Sequence, residues 1–573
     1  MTYPIWLRSS LNNRRNLFPR LIARLGLLLV IIGAGLNLAR AVEPSQSIRE
    51  PAAAVAMKST QAQGLVGPIF NQDSSDFFFE RSREEMSGEL VDAYIDQLAQ
   101  DGVRTFISCV NAMRTNYASR VWEPDWTGYD EAGPDNQPIL RFLAPGAIVP
   151  TRRRLDSAKR LADLGVNFHQ RALARCRQLG VGAWVSVRMN DVHDCTLEDA
   201  PLLSSFFKAQ RAAGQLRAPH RNASWTDRAL DWERPEVQEH YFKLVCEQLE
   251  TLDLDGLELD WMRFVYHFRP GHELAGGRSV TAWLQRVRAE CDRAAVRLGH
   301  PVRLSVRVPS RPETARRCGL DAVAWAQAGL IDLIVATPFW ATAEFDLPTV
   351  EWKRLLAGTG VSIAGGLEIR YQPVPNGKAT TMTPELAAGA AMALLHQGAD
   401  YVYLFNYFPG RPGSNKVWSG DLYRTWGAER YRAFVQALST SKKLEPLART
   451  HAVTYRDIRA PGDPTEFTLP GTDPRKDMPW PSGCAIRLPT GPQPVGRAVK
   501  LMIEFAPGTT APEKLNVYVN SVKFTAQPSP TGLEYSYVIP STAMQDEAQV
   551  IEITGEQGAL FSVLRLEMAI AAQ

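Results

Sequence analysis

Long apolar runs, paired cysteines and an excess of one charge are all scarce in this chain, and each scarcity removes a class of protein. The seven cysteines (109, 176, 195, 246, 291, 318 and 484) contain no Cys-x-x-Cys pair. Their odd, scattered set speaks against a disulfide scaffold and against a zinc cluster. They read as small buried hydrophobes, with Cys195 and Cys318 in predicted loops that could meet. The apolar stretch at 25–36 falls short of the ~20 residues that span a bilayer comfortably. No basic run interleaved with aromatics occurs. The formal charge of +3 arises at the start, where residues 1–41 hold six arginines and no acid; the rest carries 58 basic against 61 acidic residues. That balance has no general attraction for nucleic acid or for an anionic membrane. No P-loop, GxGxxG turn into a helix or GxSxG elbow stands at a suitable strand end, so nucleotide chemistry and serine hydrolysis lack support.

What is present begins with an address. A basic region ends at Arg24, the apolar stretch follows, and Ala39-Arg40-Ala41 supplies a small-x-small cleavage pattern. This predicts a signal peptide over 1–41, an exported product (periplasmic or extracellular), and no stable membrane span once it is cut. Arg14-Arg15 adds a weak twin-arginine likeness. Residues 42–62, rich in Ala, Ser, Gln and Pro without periodicity, read as a linker.

From there, short apolar runs alternate with helical patterns. Eight strands are expected at 67–71, 104–110, 182–189, 256–261, 303–309, 333–338, 362–369 and 401–407. Helices are expected at 82–100, 166–179, 235–252 and 384–397. Eight such units over 63–440 predict an α/β fold, a (β/α)8 TIM barrel. The long insertion at 111–167, with Trp122 and Trp126, is expected to roof one side of the mouth. Beyond Thr440 the helices stop. Alternating runs near 501–505, 515–518, 535–538, 550–554 and 561–569 predict a C-terminal all-β sandwich over 441–573, expected to fold separately.

In a barrel, functional groups come from the C-terminal ends of strands. On strand 4, side chains alternate, so Gly256, Glu258 and Asp260 point inward if Leu257 and Leu259 face the helices. The deeper Glu258 reads as a structural ion pair with Arg188 or Arg307. Asp260, at the strand end, is the candidate nucleophile, with Arg263 and Arg307 expected to hold it charged. A partner carboxylate is sought in Glu368 at the end of strand 7, with Glu313 after strand 5 as its rival. Asn71, Asp73, Asn190, Asp191, His193 and Asn406 end other strands and could bind ring hydroxyls. Trp261, Trp340 and Tyr407 could stack on sugar faces. His193 lacks a second histidine at metal spacing, so no metal is expected, and no cofactor is implied.

The run Asp255-Gly256-Leu257-Glu258-Leu259-Asp260-Trp261-Met262-Arg263 resembles the strand-4 motif of the glycosyl-hydrolase-like family 10 barrels, where an Asp-Gly pair leads to an Asp, an aromatic and an Arg. Leu230-Asp231-Trp232 and Arg234-Pro235-Glu236-Val237 resemble that family's lead-in. The likeness covers about 65–408 and implies a TIM barrel acting on polysaccharide. A second likeness, to family 18 chitinases, fails where their motif ends in Glu and this chain has Met262. The expectation is an exported glycosidase using a carboxylate pair on a carbohydrate substrate. The alternative is a catalytically inactive carbohydrate-binding barrel of the cell envelope.

Overall fold

The computed structural model describes residues 65–573 except 74–75, 222–223, 340, 376, 412–420, 461–462, 464–482, 510–511, 529–531 and 556–560. The expected signal peptide and linker lie outside the described residues.

Eight parallel strands close into a barrel: β1 (Ile69–Gln72), β2 (Thr105–Cys109), β3 (Gly182–Arg188), β4 (Gly256–Asp260), β5 (Arg303–Pro309), β6 (Leu333–Thr337), β7 (Ser362–Glu368) and β8 (Tyr401–Phe405), with β8 pairing back onto β1. Helices α1 (Gly88–Asp101), α2 (Phe168–Leu179), α3 (Pro235–Thr251), α4 (Glu273–Leu298), α5 (Ala322–Gln327), α6 (Thr349–Leu355), α7 (Pro384–His396) and α8 (Ala428–Ala437) follow the strands in turn. Their ends carry their own signals. Ser87 accepts the Leu90 N–H at the start of α1, Asn167 accepts two N–H groups at the start of α2, and Gly102 and Gly180 close these helices in left-handed conformation.

The barrel floor is apolar. Ile69, Ile107, Trp184, Leu333, Val335, Ala364 and Tyr403 point inward and are fully buried. Trp184 fills the space because its partner on β4 is Gly256, where a Cβ would sit 2.5 Å from the indole ring.

After the barrel come two antiparallel sheets. Their strands are β9 (Arg449–Ala452), β10 (Gly483–Gly491), β11 (Val499–Phe505), β12 (Asn516–Val519), β13 (Val522–Phe524), β14 (Gln527–Pro528), β15 (Glu534–Ile539), β16 (Glu547–Thr554) and β17 (Val563–Ile570). One sheet runs β9-β17-β11-β15-β14 and the other β10-β16-β12-β13. Their inner faces, including Leu488, Leu501, Ile503, Val517, Ile551 and Leu566, share one core.

This region is held closely against the barrel. Every residue from Leu386 to Leu394 in α7 is buried, because one side meets β7 and β8 and another meets β9 and β10. Gly389 makes the contact with β9 so close that a Cβ would lie 2.1 Å from the Thr450 carbonyl oxygen. Tyr371 donates to Glu567 of β17 at 2.7 Å. The chain leaving β9 crosses the loop after β6: Thr454 donates to the Ala343 carbonyl, and Asp457 accepts the N–H groups of Phe339 and Ala341.

Two local features bear on the expectations for the loops. The insertion after β2 includes a helix, Pro145–Asp163. Its Trp122 stacks on His240 of α3 at 4.2 Å and donates to that residue's carbonyl. This part therefore clasps the outer helices, because a large apolar ring gains more by covering a helix than by facing solvent. Cys195 and Cys318 are both buried free thiols that do not pair. Among the described residues, no helix is long and apolar enough to cross a membrane.

Candidate active site at the barrel mouth

The inward parity of each strand brings charge to the C-terminal end of the barrel. Asp260 and Arg307 are opposite in register on β4 and β5, and Arg188 stands opposite Asp260 on β3. Arg307 donates to both Asp260 oxygens, at 3.2 and 3.1 Å, and Asp260 Oδ1 also accepts the Met262 and Arg263 N–H groups at 3.0 Å. Both side chains are almost fully buried. Arg263 was expected to grip Asp260 with its side chain. Only its backbone does so; the guanidinium turns instead toward His193, 3.3 Å from Nε2.

Below this pair, Glu258 accepts from Asn71 at 3.1 Å and from Tyr403 at 2.9 Å. Its partners are thus neutral donors rather than the arginine expected from the sequence. Burial and then the nearby Asp260 charge push its carboxyl up to about 7. Asn71 is correspondingly committed to Glu258 and buried.

Glu368 ends β7. It accepts from Asn406 at 3.3 Å and from its own neighbour's N–H, Ile369, at 3.0 Å, while Oε2 is buried without a hydrogen-bond partner. Burial raises its carboxyl to about 7, against the opposing pull of Arg307, Asn406 and Arg263. Asn406 presents its amide from a left-handed backbone, φ 62°, a conformation that Asn tolerates better than most residues.

A third group spans β1 and the loop after β3. Arg188 bonds Asp73 at 2.7 Å and Asp191 at 3.2 Å, and His193 Nδ1 lies 2.8 Å from Asp191. His193 Nε2 faces the Arg263 donor, which assigns the ring proton to Nδ1. Burial alone would raise both aspartates. For Asp73 the Arg188 and Arg263 charges outweigh it, and for Asp191 the His193, Arg188 and Arg263 interactions do so, holding both below the usual carboxylate range.

The other expected residues lie elsewhere. Glu313 is exposed and pairs with Arg316 at 2.8 Å, so nothing links it to the strand-end cluster. Asn190 is buried and clamps the backbone of Leu230 through both ends of its amide. Trp261 is fully buried, edge-on to Trp232 at 4.8 Å. Tyr407 is fully buried against Phe434 and Trp426 of the outer layer. Neither ring can stack on a ligand. For Trp261 the reason is parity, since it is one residue past inward-facing Asp260; Tyr407 lies beyond the end of β8, after the left-handed Asn406, where strand alternation no longer holds. Trp340 lies outside the described residues.

An aromatic wall that sequence reading missed stands beside Arg263. Half-buried Trp225 packs on Phe264 at 4.9 Å and on Phe339 at 5.7 Å, and Phe264 meets His193 at 5.1 Å. Phe264 itself holds φ 72°, a strained setting for a bulky residue. The only sequence signal for Trp225 was its place in the long loop after β3. Among the described residues, no cluster of three or more His, Cys, Asp or Glu side chains could hold a metal ion.

No protein-family model matches the chain, and no curated protein does. Solved structures similar to it include an amylase, a fucosidase and a chitinase. A maltogenic alpha-amylase from Thermotoga neapolitana has 9% identity and TM-score 0.35, covering 86% of this chain and 99% of that chain. An alpha-L-fucosidase from Paenibacillus thiaminolyticus has 11% identity and TM-score 0.32, covering 85% and 96%. A family GH18 chitinase from Chromobacterium violaceum has 11% identity and TM-score 0.28, covering 71% and 77%. Likeness at this level transfers no substrate and no residue role.

Proposed function

We propose that this chain is an exported glycoside hydrolase whose site is the barrel mouth, with Glu368 as proton donor and Asp260 as the second carboxylate. The observation that carries the reading is Glu368. It is a buried strand-end carboxyl, raised to about 7 and keeping one oxygen without a hydrogen bond. A group of that kind is protonated near neutral pH and can deliver its proton to a leaving glycosidic oxygen. Asp260 is tied to Arg307, whose charge also acts on Glu368, so one guanidinium links the two acids. Hydrolysis needs such a pair, one giving the proton and one attacking or activating water. Trp225, half-buried, offers an apolar face for a sugar ring, and the partly exposed Asp73 and His193 offer polar atoms for hydroxyls. The strand-4 likeness to glycosyl-hydrolase-like family 10 and the N-terminal address support the same reading.

A panel of α- and β-linked polysaccharides tests it. On any glycan the wild type cleaves, Glu368→Gln should lower turnover by ~10²–10⁴-fold while the protein stays folded, as expected for loss of a general acid. Near-normal turnover would remove Glu368 from the chemistry. A second reading, a barrel that binds glycan without cleaving it, draws on one fact. Asp260 already accepts two backbone N–H groups and Arg307, leaving less of it for a substrate. Glycan retention without cleavage would favour that reading.

A further inference from the structure

The three buried or half-buried arginines of the mouth are not equivalent. Arg188 has Asp73 and Asp191, and Arg307 has Asp260, each within ion-pair distance. Arg263 has no ion pair among the described residues. The one hydrogen-bond neighbour of its side chain is His193 Nε2, and its Nε–H, like those of Arg188 and Arg307, is buried with no acceptor. Its remaining contacts are the faces of Phe264 and Phe405, at 5.4 and 5.6 Å. Burial and the neighbouring Arg188 charge work against the charged guanidinium there and outweigh the support of the Asp73, Asp191 and Glu368 carboxylates, none of which reaches it as an ion pair. A planar cation so placed is complementary to a carboxylate or sulfate, which can take two parallel N–H bonds and form the direct ion pair that Arg263 lacks. A neutral hydroxyl would satisfy one N–H and form no ion pair. Trp225, packed on Phe264, lies close enough to carry the apolar face of the same sugar.

We propose that the mouth takes an acidic glycan, a uronate or a sulfated sugar, and that Arg263 reads its acid group. The inference rests on the mouth being the carbohydrate site proposed above. The full chain is tested by affinity electrophoresis in gels containing polygalacturonate, the same polymer after carboxyl reduction, dextran sulfate, or dextran. The expected result is retention by an acidic polymer at least tenfold stronger than by its neutral counterpart. Arg263→Gln should abolish that preference and Arg263→Lys should keep part of it, with melting curves confirming that both variants fold. Arg316→Gln, at an exposed cation, should retain the preference, which separates the site from general attraction of polyanions. Preference for the carboxylate pair or for the sulfate pair distinguishes the two acid groups. Equal retention of neutral polymers, no retention of any acidic one, or an unchanged preference in Arg263→Gln would overturn the proposal. Cleavage of a neutral glycan that depends on Glu368 would overturn it while leaving the hydrolase reading intact. Retention of an acidic glycan without cleavage would do the reverse.

Discussion

The floor and the mouth of this barrel are built by the same eight strands with the same alternation, yet they hold opposite chemistry. At the floor, Trp184 fills the space above Gly256 among Ile69, Ile107 and Leu333. Four residues further along β3, β4 and β7, the inward positions become Arg188, Asp260 and Glu368, with Arg307 opposite Asp260 on β5. Burying those groups is unfavourable unless they are paired, and the pairing is incomplete at Glu368, Arg263 and Arg307. The comparison teaches where each kind of free energy sits. The floor contributes stability through close packing, and the mouth holds buried polar atoms that lack a hydrogen-bond partner among the described residues.

Four substitutions sharpen that contrast. The largest loss of stability is expected at the floor. Trp184→Ala should destabilise by ~3–5 kcal/mol, the usual range for deleting a buried aromatic, measured by urea denaturation. At the mouth, Asp260→Asn leaves Arg307 buried without its counter-charge. A loss of about 3 kcal/mol is expected, at the low end for breaking a buried pair because Asn can still accept the Met262 and Arg263 N–H groups. An effect as small as a surface mutation would show that the mouth is wetter than its burial implies.

The third variant addresses the contact between barrel and sandwich. Gly389→Ala forces α7 away from the Thr450 carbonyl and should cost about 1–3 kcal/mol, as overpacking does. We also expect barrel and sandwich to melt together, because α7 loses its cover when β9 leaves. Two separate calorimetric transitions would contradict this. The smallest effect is expected at Glu313→Gln. An exposed, solvent-screened pair with Arg316 contributes little to stability, and no activity change should accompany its loss.

Much of this architecture was legible in the chain. All eight barrel strands lie where apolar runs end in turn residues, and alternation around Leu257 and Leu259 correctly turned Glu258 and Asp260 inward. The same rule applied to Trp261 would have sent it to the helices, where it packs on Trp232. It was considered for the mouth only because aromatic residues suit sugars. What sequence could not supply was the choice among partners. Glu258 takes Asn71 and Tyr403 from strands far away in the chain rather than a neighbouring arginine. Arg263 turns to His193, a residue 70 positions earlier. β9 and β10 were not anticipated, since their apolar residues are few and their role is to cover α7.

The state of Glu368 tests the central claim without knowledge of the substrate. Its carboxyl is raised from the ordinary 4.5 to about 7 in the folded chain. Between those values the folded state keeps a proton that the unfolded state has lost. Its contribution to stability is therefore complete below about 4.5 and disappears as pH rises through about 7. Urea denaturation of wild type and Glu368→Gln from pH 4 to 8 isolates this group. The stability difference between the two should shift by up to ~3 kcal/mol across that range, in the direction that disfavours wild type at high pH. A difference that stays constant with pH would mean that Glu368 is ionised like any exposed acid, and its role as proton donor would fall.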